Sequence, residues 1–195
     1  MSTLPKSFIT PEQYLELERA AEFRHEYYDG EMVAMSGARE AHVLITGNVF
    51  ATVRPQLRQC GCRAYIVDMR VRAGSGRAYT YPDLAVACGE RRFLDGTRDT
   101  LLNPTVIVEV LSPSTERHDR SKKFSHYKTI ESLQQYVLVA ADAPCVDVFT
   151  RMPDGEWKWR NAYGLDDTLE LESIGCRLAM SDIYEDIEFE SQAGA

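Results

Sequence analysis

Apolar positions recur at helical spacing near the start of the chain and at strand spacing soon after. In PEQYLELERAAE, Tyr14, Leu17 and Ala21 share one helical face. Thr10 is placed to cap that helix, Pro11 suits its first position, and Glu12 puts an acid in its first turn. EYYDGEMVAMSG is strand-like on both sides of Asp29-Gly30, a hairpin turn signal, and Gly37 ends it. From Arg39 to Cys60, the apolar residues Val43, Ile45, Val49, Val53 and Leu57 predict a long helix, weakened by Gly47 and Pro55.

Strand patterns follow. CRAYIVDMRVRA alternates as one strand, GSGR is a turn, and AYTYPDLAVAC is the next strand. GERRFLDGTRDTLLN is polar and turn-rich, the pattern of a mobile loop. PTVIVEVLS and QQYVLVAAD are continuous apolar runs, the mark of strands covered on both faces. Between them STERHDRSKKFSHYKTIES predicts a helix capped by Ser114 or Thr115. CVDVFTRMPDGEWKWRNAY predicts a hairpin around Pro153-Asp154-Gly155, then a strand TLELES and a short helix near SDIYED. The order predicts a mixed α/β fold with a central sheet, as one domain over residues 1–195.

Composition narrows the class. No apolar run is long enough to span a membrane and no signal-peptide core opens the chain, so a bacterial-type cytoplasmic protein is expected. Five scattered cysteines predict reduced thiols, and Cys60-Gly-Cys62 is too close for the usual zinc spacing. The net charge of −8, from 22 basic and 30 acidic residues, argues against broad attraction to nucleic acid.

Glu109 breaks the pattern, because a carboxylate inside VIVEVL is costly to desolvate unless it is paired or holds a metal. Asp83, directly after Pro82, opens another apolar strand, so two strands could each deliver one carboxylate to Mg²⁺. The helix after Glu109 is net basic in an acidic chain, and Asp119, Lys123 and Tyr127 share one of its faces. Alternative readings are a strand-edge pair for Glu109, a turn cap for Asp83 and a solvated face for the helix.

With those residues in place the chain resembles the PD-(D/E)XK nuclease superfamily, and within it the Uma-type group of restriction endonucleases. Pro82-Asp83 matches the first motif. Glu109-Val110-Leu111 matches the second, with Leu111 where the superfamily has Lys. Asp119, Lys123 and Tyr127 fit the group's helix pattern, and Glu26, Asp29, Gly30 and His42 its early segment. The resemblance implies a restriction-endonuclease-like mixed sheet with flanking helices. It implies metal-dependent hydrolysis of DNA phosphodiesters, with Asp83, Glu109 and the Val110 carbonyl on Mg²⁺ or Mn²⁺. Lys123 would be a lysine migrated to the helix that positions or deprotonates the attacking water. Glu26 would be a further ligand or a water-orienting acid, Tyr127 a core residue with a paired hydroxyl, and His42 a substrate contact or a packed residue. The alternative is a catalytically silent fold used for binding or assembly. Two cuts across a duplex suggest a homodimer, with Trp157 and Trp159 in its interface or simply in the core.

Overall fold

The computed structural model describes residues 8–112 and 115–189; Ser114, one of the two expected caps, lies outside them. Helix α1 (Pro11–Ala20) has its capping box: Gln13 N–H donates to Thr10 Oγ1, and Thr10 N–H donates to Gln13 Oε1 at 2.9 Å. Strands β1 (His25–Tyr28) and β2 (Glu31–Ala34) pair across Asp29-Gly30. Both turn residues have positive φ, 49° and 98°, as tight hairpins require. A Cβ at Gly30 would collide with the Phe8 ring, so that glycine also admits a close approach. Helix α2 (Glu40–Gln56) carries Pro55 in its last turn and passes into a 3₁₀ turn at Leu57–Gln59.

Two expected strands are each broken, and the breaks make two main sheets out of the single one expected. The first run becomes β3 (Cys62–Ile66) and β4 (Arg70–Ala73). It turns at Val67-Asp68, where Val67 takes φ 61° and Asp68 N–H donates to the Ile66 carbonyl at 2.8 Å. The second run becomes β5 (Ala78–Thr80) and β6 (Leu84–Cys88), separated by Tyr81-Pro82-Asp83. Pro82 has no N–H to give to a ladder. The polar stretch 89–103, expected to be mobile, contains β7 (Thr100–Leu101). Arg19 pins it through Asp95 at 2.7 Å and Asp99 at 2.8 Å.

The remaining strands are β8 (Val106–Leu111), β9 (Gln135–Ala140), β10 (Cys145–Arg151), β11 (Trp157–Tyr163), β12 (Thr168–Leu171) and β13 (Cys176–Ala179). One sheet has the order β11-β10-β9-β8-β6-β3 and the other β2-β1-β5-β4-β7, while β12 and β13 form a separate pair. β13 has no counterpart in the sequence reading. The short helix expected near 181–186 is observed at Met180–Ile183.

β8 and β9 run parallel, so the chain needs a crossover between them. That crossover contains the site helix, 116–127: Glu116–His118, a π-helical turn Asp119–Lys123, and Phe124–Tyr127. Thr115 precedes it as N-cap without a side-chain capping bond.

The six-stranded sheet is covered on both faces. One face packs Leu84, Val86, Val106, Val108 and Val110 against Ile45, Val49 and Val53 of α2. The other packs Ala85, Ala87, Ile107 and Leu111 against Val71 and Ala73 of the second sheet and Phe124 and Tyr127 of the site helix. The cysteine expectation is corrected here. Cys62 and Cys88 face each other across β3 and β6 and are joined as a disulfide, while Cys60, Cys145 and Cys176 are free. A cross-strand register, invisible in the spacing, brings them together.

Candidate active site

Strand alternation aims Glu109. Ile107 and Leu111, two positions to either side, lie on the sheet face covered by the site helix, and residue 109 shares that face. Glu109 is thereby buried among apolar groups, with its Oε1 met by polar ones. Tyr127 Oη donates to Glu109 Oε1 at 2.8 Å, and the Thr80 hydroxyl stands 2.8 Å from Tyr127 Oη. Leu111, where the motif would have Lys, is buried in the same apolar cluster.

The ammonium beside Glu109 comes from the site helix. Lys123 Nζ lies 2.9 Å from Glu109 Oε1, 3.1 Å from Glu26 Oε1 and 3.6 Å from Asp119 Oδ1. Asp119 and Lys123 bound the π turn, a helix irregularity frequent at functional sites. Tyr136 Oη donates to the Asp119 carbonyl at 3.2 Å. Arg120, exposed on the other side, is held by Asp147 Oδ2 at 2.6 Å, and Asp147 Oδ1 accepts from Trp159 and Asn161 at 2.9 Å each. Trp157 packs edge-on against Phe124 at 5.3 Å between centroids. The two tryptophans thus brace the site helix, although the Trp159 ring is largely exposed.

Glu26 is supplied by β1. Tyr28 Oη donates to its Oε2 at 2.8 Å, and Tyr81 N–H donates to its Oε1 at 3.2 Å. Tyr81 in turn donates its hydroxyl to the buried Glu18 of α1 at 2.9 Å. Asp83 is supplied by the break between β5 and β6. Val110 N–H donates to its Oδ2 at 2.7 Å, and His42 Nε2 lies 2.8 Å from its Oδ1. Of the two roles open to His42, the structure shows the residue spent on Asp83.

The electrostatics follow from burial. Desolvation pushes the Glu109 carboxyl well above its ordinary range, and the nearby Asp119, Asp83 and Glu26 add to this against the pull of Lys123. Burial likewise raises Asp119. Burial opposes the Lys123 charge, but Glu109 and Glu26 outweigh it, so the ammonium is retained. Burial also opposes protonation of His42, and the hydrogen bond and charge of Asp83 reverse that, raising its pKa.

The donor set fits a hard divalent cation. Its members are oxygens, and carboxylates outnumber cationic groups in a poorly solvated space. Among the described residues no three His, Cys, Asp or Glu side chains gather closely enough to enclose an ion by themselves.

Glu26, Glu109 and Lys123 therefore meet directly, while Asp83 is held by His42 and by the amide of Val110, the residue after Glu109. The sequence reading missed Tyr28, Glu18, Tyr81 and Asp147. Tyr28 had a signal, since it lies two residues from Glu26 in one strand and must share its face. The other three depend on contacts between segments far apart in the chain.

The comparisons agree with this architecture. A family described as "Uma2: Putative restriction endonuclease" matches residues 11–181. An uncharacterized protein of Synechocystis is 34% identical over 181 residues, 93% of this chain and 94% of the relative. A second from the same organism is 29% identical over 162 residues, 83% of this chain and 92% of the relative. A crystal structure described as a "putative nuclease belonging to DUF820" from Anabaena variabilis superposes with a TM-score of 0.75 at 21% identity, covering 90% of this chain and 97% of that one. It shares the fold, a mixed α/β architecture of the restriction-endonuclease type.

Proposed function

The chain belongs to the Uma2 family, and from that premise we propose that it is a metal-dependent endonuclease hydrolysing DNA phosphodiester bonds. One observation carries the proposal: a buried ammonium, Lys123, stands 2.9 Å from Glu109 and 3.1 Å from Glu26 within a surplus of carboxylates. Buried, mutually perturbed charges of this kind cluster at functional sites.

Asp83 and Glu109 would hold Mg²⁺ or Mn²⁺ in this reading, with the Val110 carbonyl as a further candidate ligand. The bound ion would offset phosphate charge and lower the pKa of a water. Lys123 orients the attacking water and offsets negative charge at the phosphorus. Glu26, steadied by Tyr28 and the Tyr81 amide, orients the same water from the other side. His42 and the Val110 N–H hold the Asp83 carboxylate in one rotamer, so little reorganisation is left for the reaction.

Cleavage of plasmid and single-stranded DNA with Mg²⁺ or Mn²⁺ tests the reading. Chelation should abolish cutting, and Lys123→Ala should lower it by about 10²–10⁴-fold, the usual range for a positioned proton-transfer group. A wild type that cuts nothing, or a Glu109→Ala variant that cuts equally well, assigns the fold to binding or assembly instead, the reading favoured by the −8 charge. Cutting both strands of a duplex would take two copies, so a two-fold homodimer belongs only to the duplex form of this proposal. Light scattering reads it, and a monomer at micromolar concentration removes that part.

A further inference from the structure

The mouth of the site carries four exposed aliphatic side chains among its charged ones. Val33, Val43, Ile66 and Val67 are between 40% and 57% exposed. Each adjoins a site acid or its partner. Val33 is the cross-strand partner of Glu26, so the two side chains share a sheet face. Val43 follows His42 on α2. Ile66 pairs with Leu84, the neighbour of Asp83. Val67 donates its N–H to the Asp83 carbonyl at 3.2 Å. The ion pair of Arg24 with Asp68, at 3.3 Å, ties the segment leading into β1 to the Val67 turn, so the two sides of the rim are adjacent.

Val67 is the sharpest feature. It takes φ 61°, a left-handed conformation that a β-branched residue adopts only under strain. Asn or Asp would sit there more comfortably. The fold instead holds an apolar side chain out to solvent beside Asp83, and such outliers cluster at functional sites. On the other side of the acids the site helix presents Arg117 and Lys122, both exposed. Lys122 lies over the Tyr28 ring at 5.3 Å.

We infer that the mouth takes an unpaired nucleic-acid strand, with bases against the apolar rim and phosphates toward Arg117 and Lys122. Apolar side chains gain nothing from a phosphate but do gain from the face of an unstacked base, which a duplex keeps hidden. An overall charge of −8 adds repulsion toward the denser charge of a duplex. The inference rests on the nuclease reading and names its substrate class. A singly cut strand needs no second copy.

Fluorescence anisotropy in EDTA, with a labelled single-stranded oligonucleotide and with the same sequence as a blunt duplex, tests binding without cleavage. The single strand should bind about tenfold more tightly or better. Its salt dependence should be shallow, with a log–log slope of about −1.4 for two phosphate contacts. Val67→Asn should raise Tm by relieving the backbone, yet weaken single-strand binding. Val67→Asp should weaken it further while remaining folded by circular dichroism. Duplex binding as tight as single-strand binding overturns the inference, as does unchanged binding by both Val67 variants. So does dissociation of an oligomer by Val67→Asp with oligonucleotide binding intact, which assigns the rim to a second copy. The two readings fail separately. A wild type that binds the single strand but cuts nothing with Mg²⁺ or Mn²⁺ loses the nuclease reading alone, and one that prefers to cut duplex loses this inference alone.

Discussion

Lys123 and Glu109 depend on each other for charge. Each is buried, and neither has bulk water to screen it. Removing the lysine leaves Glu109, Glu26 and Asp119 facing one another, so Lys123→Met should cost about 3–5 kcal/mol of stability, the range for breaking a buried pair. Adding Glu109→Gln should recover part of that loss. Urea unfolding of the two single variants and the double variant gives the coupling energy, and a value near zero would contradict the 2.9 Å pair. Sequence alone pointed to both residues, because a charge in VIVEVL and a lysine four positions after Asp119 are local facts. That the two meet was not local. Nothing in the spacing says that Leu111 faces an apolar cluster while Lys123 reaches Glu109.

At the level of the element, the site helix is held from outside. Arg120, inside the π turn that carries Asp119 and Lys123, reaches back to Asp147 on β10 at 2.6 Å. Burial raises the Asp147 pKa, but Arg120, Asn161 and Trp159 outweigh it and the net shift is downward. Its folded pKa then lies below the unfolded one. The stability it contributes is full above the ordinary carboxylate range near 3.9 and is lost as pH falls through the folded value. Asp147→Asn should therefore lower Tm at neutral pH, and its gap from wild type should narrow in acid. A gap that stays constant from neutral pH down to about pH 2, well below the unfolded carboxylate value, would show that Asp147 does not act through its charge. Helical periodicity marked this helix and placed Asp119, Lys123 and Tyr127 on one face. The π turn was not readable, because it forms where the helix meets a strand far along the chain.

Across the whole molecule, segments distant in sequence are joined by pairing. Cys62 and Cys88 lie 26 residues apart and opposite each other in the ladder of β3 and β6. Alkylation of the unfolded, unreduced protein should label three thiols, Cys60, Cys145 and Cys176, and five after reduction. Five labels without reductant would mean that the pair is reduced. Closing a loop of that length constrains the unfolded chain, so reduction should lower stability by about 3 kcal/mol. The two-sheet arrangement belongs to this scale as well. It arises because β3 continues into β4, and β5 into β6, across tight breaks that send each half to a different sheet.

The sequence by itself determined the elements and the odd residues within them: the capped first helix, the Asp29-Gly30 hairpin, the buried β8, and acids where apolar residues belong. Periodicity and turn chemistry are properties of neighbouring residues, so they survive without the fold. Only the tertiary structure decided that Asp83 accepts from the Val110 amide and His42, that Glu26 reaches Lys123, and that Val67 stands strained at the mouth. Those outcomes depend on strand register and sheet partner. Register follows from how the apolar faces pack together, a constraint set by the assembled core and carried by no single segment.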